Sequence, residues 1–170
     1  MSERIERAID KIIAREGGFV NRAEDRGGPT NFGITIGTLS EWKGKKASVE
    51  DVRKLPVSVA RAIYKQRYII GPKFDRIEHD GLFEFAVDTA VNNGRDRASR
   101  WLQRAVGVVE DGVVGPITLA KVNSVTDAAF YGLFVQRMKA YGALVSANHS
   151  QAVFVAGWLN RLATFLPWQK

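Results

Sequence analysis

The 170-residue sequence contains no cysteine. That excludes a disulfide framework and a thiolate metal site, and it fits a protein made in a reducing compartment. There are only two histidines, His79 and His149, each isolated, so a helix-borne H-E-x-x-H zinc motif is excluded too. No apolar run approaches the roughly 18 residues that mark a membrane span. Met1 to Arg4 lead straight into an amphipathic pattern, without the basic, apolar and small-residue regions of a signal peptide. Internal repeats and low-complexity linkers are missing, and strand signals are confined to short pieces between Phe19 and Thr35. What remains is ordinary globular composition, 45% hydrophobic and 25% charged, enough for one domain or two small lobes.

The charge is unbalanced, with 25 Lys and Arg against 18 Asp and Glu, a net +7. Such a surface favours a polyanion. Nucleic acid is one, and the carboxylates and phosphate-rich polymers of a bacterial envelope are another. No zinc-finger spacing or basic zipper supports the first.

Chemistry concentrates in one stretch, Ile12 to Thr35: I-I-A-R-E-G-G-F-V-N-R-A-E-D-R-G-G-P-T-N-F-G-I-T. Upstream, Ile5, Ala8, Ile9, Ile12 and Ile13 recur at helical spacing, one face of an amphipathic helix. Gly17 and Gly18 end it. Glu16 therefore sits at the last turn, facing the negative end of the helix dipole, the wrong end for an ordinary surface acid. Gly17, Gly18, Gly27 and Gly28 bracket a loop or short hairpin that can return Asp25 and Thr30 towards Glu16. Two acids and a hydroxyl around one cleft suit hydrolysis of a glycosidic bond: one acid protonates the leaving oxygen, and a second group positions water or meets positive charge. A solvated helix end with a polar loop is the plainer alternative.

The run E-G-G-F followed by D-R-G-G-P-T-N-F-G-I-T resembles the signature of glycoside hydrolase family 108, the N-acetylmuramidases of phages and bacteria. Phe19 stands where tyrosine is common, keeping the ring and losing the hydroxyl. The resemblance implies a lysozyme-like fold with Glu16 as the catalytic acid. The Glu, Asp and Thr arrangement is also similar to that of phage lysozymes, which places Asp25 and Thr30 or Thr35 in the cleft. Glu24 is a neighbouring alternative to Asp25.

Further along, Thr35 is placed to cap a short helix carrying Ile36, Leu39 and Trp42. Trp42 lines either a sugar site or the edge of the core. Ser48 and Asp51 form a weak capping box for a helix ending near Leu55. A helix over 58–70 carries Val59, Ile63, Tyr64 and Tyr68, with the two tyrosines one turn apart. Gly71-Pro72 stops it. A largely buried helix over 80–92 places Asp88 and Asn92 on one face, where a buried acid or amide needs partners. F-E-F-A-V-D-T-A-V-N-N-G is similar to a family segment, which makes Asn92 a substrate candidate and Asp88 a reserve second carboxylate. Asn31, Thr35, Trp42, Tyr64 and Tyr68 complete the candidates for substrate contact.

The helix over 97–106 has a basic side formed by Arg95, Arg97, Arg100 and Arg104. After it, D-G-V-V-G-P-I-T looks like the D-G-x-x-G-P-x-T pattern of peptidoglycan-binding modules, carried by Asp111, Gly112, Gly115 and Thr118. The same letters also describe a plain turn leading into a helix. A long helix over 125–147 is expected to turn Ala129, Leu133, Gln136, Ala140 and Leu144 inward with Phe130, Phe134 and Tyr141, leaving Arg137 and Lys139 as charge. A last helix over 150–166 packs Val153, Gly157, Trp158 and Leu162, with Phe154, Leu159 and Phe165 beside them.

These readings give a mainly α, lysozyme-like fold with a short β-hairpin in a small N-terminal lobe and a larger helical body. Residues 1–92 form the catalytic region and 93–170 a peptidoglycan-binding-like region packed into the same compact domain. The expected activity is hydrolysis of the β-1,4 bond between N-acetylmuramic acid and N-acetylglucosamine. A lytic transglycosylase and a catalytically inactive wall-binding or structural protein are the competing readings. Neither a metal nor an organic cofactor is expected, and neither nucleic acid nor stable membrane insertion. The expected partner is the peptidoglycan glycan strand. A holin or other export system would release a monomer made in the bacterial cytoplasm to the periplasm and cell wall.

Overall fold

The computed structural model describes residues 2–21 and 28–166. The expected loop acid Asp25 and its neighbour Glu24 lie outside the described residues. The fold is mainly helical, with one small antiparallel hairpin near the N-terminus. The chain divides into two compact units, Met1–Gly71 and Pro72–Lys170.

In the first unit, α1 spans Ser2–Arg15. Its buried stripe is Ile5, Ala8, Ile9 and Ile12, the spacing that periodicity requires; Ile13 is only half-buried. Arg61 fixes the polar side of α1 by reaching both Glu6 (2.7 Å) and Asp10 (2.5 Å). The hairpin pairs β1 (Thr30–Asn31) with β2 (Ile34–Thr35). Only Phe32 and Gly33 lie between the strands, and both have positive φ, +50° and +72°. That is the type I′ geometry that matches strand twist in a two-residue hairpin. Val20 adds a bridge on the other side of Thr30, with both backbone bonds at 2.8 Å.

Three short helices follow. In α2 (Ile36–Lys43), Thr35 caps the start through its hydroxyl and Gly44 closes the end in the left-handed region. In α3 (Val49–Arg53), Ser48 and Asp51 form a complete capping box, stronger than its letters promise. The next helix begins as α4 (Val57–Tyr64) but continues over Lys65–Ile70 as a π-helical segment. A regular α-helix through Ile70 was expected there. The wider segment ends with Gly71 donating to the Gln66 carbonyl at 2.8 Å.

The second unit is built on α5 (Asp80–Asn93). Leu82, Phe83, Phe85, Ala86 and Ala90 are fully buried along it. Around it lie α6 (Arg95–Val106), α7 (Pro116–Ser124), α8 (Thr126–Ala147) and α9 (Val155–Ala163). Gly132 lets α8 approach α6 closely: a Cβ there would lie 2.6 Å from that of Ala105.

The inward stripe of α8 differs from the expected one. Ala129, Leu133, Arg137 and Tyr141 are its buried residues, at strict four-residue spacing, while Leu144 is 45% exposed. Arg137, expected as surface charge, is fully buried. The reason is a partner: its Nη1 lies 2.6 Å from Asp88 of α5, and its Nε donates to the Tyr141 hydroxyl at 2.8 Å. The last stretch also departs from expectation. A 3₁₀ segment, His149–Phe154, precedes α9, and Val153 and Leu159 are exposed. Trp158 stacks on Tyr141 with ring centroids 4.8 Å apart, and Phe165 packs against Phe85 at 5.0 Å.

Candidate active site

The first unit assembles a carboxylate site from three elements. Glu16 follows the last residue of α1, its N–H still donating to the Ile12 carbonyl at 3.0 Å. A rigid four-turn helix with a buried apolar stripe thus fixes where the side chain starts. The side chain is half-buried, and its carboxylate lies against the tip of the hairpin. A Cβ placed on Gly33 would sit 2.7 Å from Glu16 Oε2 and 2.5 Å from the Tyr64 hydroxyl. No side chain fits at Gly33, and the acid and the phenol converge on that one point.

Tyr64, from α4, is buried, and its hydroxyl donates to the Phe32 carbonyl at 2.8 Å. This bond matters because Phe32 is a bulky residue at positive φ, a conformation that persists only where surroundings enforce it. Tyr64 therefore holds the strained turn beside Glu16. Expected as a substrate contact, Tyr64 has its hydroxyl beside the acid and bonded to the turn. Tyr68 is half-buried and packs on Tyr64 with ring centroids 5.7 Å apart.

The end of α3 grips both halves of the signature. The Arg53 guanidinium lies 4.2 Å from the centre of the Phe19 ring, a cation–π contact. Asn31 is buried, and its Nδ2 donates to the Val52 and Arg53 carbonyls at 3.0 and 3.1 Å. Those carbonyls end a helix and need donors. Asn31, expected to touch substrate, has its amide donors turned to the fold instead. Thr35, with its hydroxyl in the α2 cap, likewise has a structural duty. Thr30 is half-buried and lies opposite Thr35 in the hairpin ladder.

Trp42 is 44% exposed and lines a groove of about 460 Å³ whose walls include neither Glu16 nor Gly33. Two further candidates lie in the second unit. Asp88 is buried, with Arg137 at 2.6 Å and Arg161 at 2.7 Å on its two oxygens. A carboxylate so enclosed ties α5, α8 and α9 together and is not presented to a sugar. Asn92 is exposed and donates to the Asp88 carbonyl, one turn back, at 2.7 Å.

The D-G-x-x-G-P-x-T motif is a turn held by a residue outside it. Gln103 of α6 is buried; its amide nitrogen donates to Asp111 Oδ1 (2.6 Å) and the Val113 carbonyl (3.1 Å), and its oxygen accepts from Gly112 N–H (2.9 Å). The bond from Gln103, with a further one from Val113 N–H, holds the Asp111 carboxyl below the usual range. Gly112 has φ +80°, Gly115 and Pro116 start α7, and Thr118 is buried. The polar groups of Asp111 and Thr118 serve the turn.

Sequence reasoning missed Gly33 as the wall of the acid, Arg53 over Phe19, Gln103 as the motif's anchor and the buried Arg137. Gly33 between the short runs Thr30-Asn31 and Ile34-Thr35 was a partial turn signal. The others depend on long-range contacts that no local pattern announces.

The site is a half-buried carboxylate at a helix terminus, walled by a glycine turn. The model of the glycosyl hydrolase 108 family matches residues 9–94, and a second, described as a predicted peptidoglycan domain, matches residues 97–163. The chain belongs to glycosyl hydrolase family 108. Among solved structures, that of Brucella abortus SagA is similar at 32% identity and a TM-score of 0.84, over 97% of this chain and 92% of that one. No curated protein matches significantly. The two family regions meet after α5, whereas the compact units part at Gly71.

Proposed function

We propose that this chain is an N-acetylmuramidase that hydrolyses the β-1,4 bond between N-acetylmuramic acid and N-acetylglucosamine in peptidoglycan. The observation that carries this reading is the Glu16 carboxylate against Gly33 in a chain of the glycosyl hydrolase 108 family. Glu16 gives its proton to the bridging oxygen as the bond to the anomeric carbon breaks. The oxocarbenium-like centre is met from the other face by water, which yields a reducing muramic acid end. Asp25 is the proposed second group; in sequence it falls between Val20 and Thr30, whose backbones are joined by paired bonds, and Thr30 brings a hydroxyl to that junction. No metal or organic cofactor takes part in this scheme.

The reading extends to setting. The region matching the peptidoglycan model supports the wall as partner. A monomer made in the cytoplasm and released by a holin or other export system would act in the periplasm and wall.

Digestion of purified peptidoglycan by wild type and Glu16→Gln, with products read by mass spectrometry, tests the proposal. Products with reducing muramic acid ends are expected from wild type, with a loss of at least about 100-fold in the variant. Anhydro-muramic products would make the chain a lytic transglycosylase. No soluble products from walls of several chemistries would leave a binding or structural role.

A further inference from the structure

The groove beside Trp42 lies wholly in the first unit, between the end of α2, the capping turn of α3 and the start of α4. Its volume of about 460 Å³ falls within the range of small-molecule sites, about 300–1,000 Å³. The floor is apolar: Leu39 and Leu55 are buried, with Pro56 and Val59 beside them. One wall is the indole of Trp42, 44% exposed, although tryptophan is highly buried on average. The remaining wall is polar and charged.

The charges are what identify the occupant. Lys43 pairs with Asp51 at 2.6 Å, and Lys54 with Glu50 at 3.2 Å. Two cations and two anions cancel, and each has an opposite charge within reach inside the groove. A polyanion would meet two carboxylates here and two ammonium groups already engaged. An apolar peptide would strip water from the paired charges of the rim and offer them no hydrogen bond in return. A neutral, polyhydroxylated ligand suits both parts. Its flat apolar face packs on an aromatic ring, while its hydroxyl and amide groups bond to carboxylates and ammonium groups that keep their mutual pairing. The wall is also pre-arranged: Asp51 accepts from the Ser48 N–H at 2.7 Å and the Ser48 hydroxyl at 2.8 Å, so its carboxylate is fixed before any ligand arrives.

We propose that this groove is a second saccharide site, apart from Glu16, which takes an N-acetylglucosamine unit, the uncharged sugar of the strand, with its ring on the face of Trp42. The kind of sugar rests on the muramidase reading, whereas the site's preference for a neutral polyhydroxylated ligand rests on the groove alone. Its use would be retention: a glycan strand held here stays with the enzyme between cuts.

The test is a two-dimensional amide NMR titration of the full chain carrying Glu16→Gln, with an N-acetylglucosamine hexamer as probe. The Trp42 indole N–H and the amides of residues 48–55 are expected to shift. Adding Trp42→Ala should weaken that response roughly tenfold or more, as for a buried aromatic anchor, and Trp42→Tyr should restore most of it. The same spectra report whether each variant is folded. Shifts only around Gly33 and Tyr64 would overturn the groove and leave the muramidase reading intact. Shifts in the groove, from a protein whose wild type releases nothing from peptidoglycan, would keep the groove and remove the muramidase. No shift in the groove with the hexamer, or a response there only to polyglutamate, would overturn the proposal.

Discussion

Replacing Gly33 by alanine separates two costs that usually come together. The first is backbone strain. Gly33 has φ +72°, and an L-residue in that region costs about 1–2 kcal/mol. For a chain of this size that lowers the melting temperature by roughly 2–4 °C per kcal/mol. The second cost is specific to the place. The new methyl would lie 2.7 Å from Glu16 Oε2 and 2.9 Å from its carboxyl carbon, well inside contact distance, so the acid must swing aside by something near an ångström. A displacement of that size at a reacting group costs on the order of 100-fold in rate. Gly107→Ala supplies the control: φ there is +71° and nothing lies within 4 Å. It should lose only the part of the stability that comes from strain, without the contacts a methyl at Gly33 makes with Glu16 and the Tyr64 hydroxyl, and keep its rate. The assay is release of reducing ends from peptidoglycan well below each variant's melting temperature, beside thermal melts. Equal hydrolysis by the two variants would refute the placement of Glu16 against the turn, and with it the argument for the site.

Three further outcomes follow from contacts already described. Tyr64→Phe removes the hydroxyl that donates to the Phe32 carbonyl; it should cost about 1 kcal/mol and lower the hydrolysis rate by releasing the strained turn, which denaturant melts and turnover measure together. Asp88→Ala strands Arg137 in the core and should destabilise by about 3–5 kcal/mol; Asp88→Asn that abolished hydrolysis at unchanged stability would instead make this carboxylate catalytic. Acid should weaken the fold in a defined window. Asp51 is held low chiefly by Lys43, Glu6 by Arg61, Glu110 by Arg104 and Asp111 by Gln103. A carboxylate with a depressed folded pKa lends stability that is full above its unfolded value, about 4, and is lost as pH falls below it towards the folded value. Melts from pH 6 to pH 2 should therefore decline mainly below about 4, and Lys43→Ala should flatten part of that decline.

Helix limits were the legible part of the fold, because they are written in local chemistry. The Thr35 hydroxyl, the Ser48–Asp51 pair, Gly44 and the Gly115-Pro116 step each act within four residues of themselves. The position of Glu16 was legible for the same reason, since an amphipathic stripe and two glycines put it at the end of α1. Partners distant in sequence were not legible. Arg137 reads as surface charge until Asp88, on another helix, supplies the counter-charge that permits its burial. With Arg137 turned inward the buried stripe of α8 runs at four-residue spacing through the expected Ala129, Leu133 and Tyr141, and Leu144 lies outside it. Tyr64 and Asn31 read as candidates for substrate contact; the bonds by which one holds a strained turn and the other finishes a distant helix reach backbone atoms 32 and 21 residues away, which no local pattern announces.

Gln103 alters what the letters D-G-x-x-G-P-x-T stand for. An amide eight residues upstream of Asp111 reads the turn with both of its ends, so the recurring residues describe how a loop is moored to a helix. Transplanted without α6, the same eight letters would carry a loop with nothing to hold it and no grip on a cell wall. Anyone recutting this chain into a portable wall-targeting tag should keep the second unit whole, from Pro72 onward, because Gln103 moors the turn and Asp88 of α5 supplies the counter-charge for the buried Arg137 of α8.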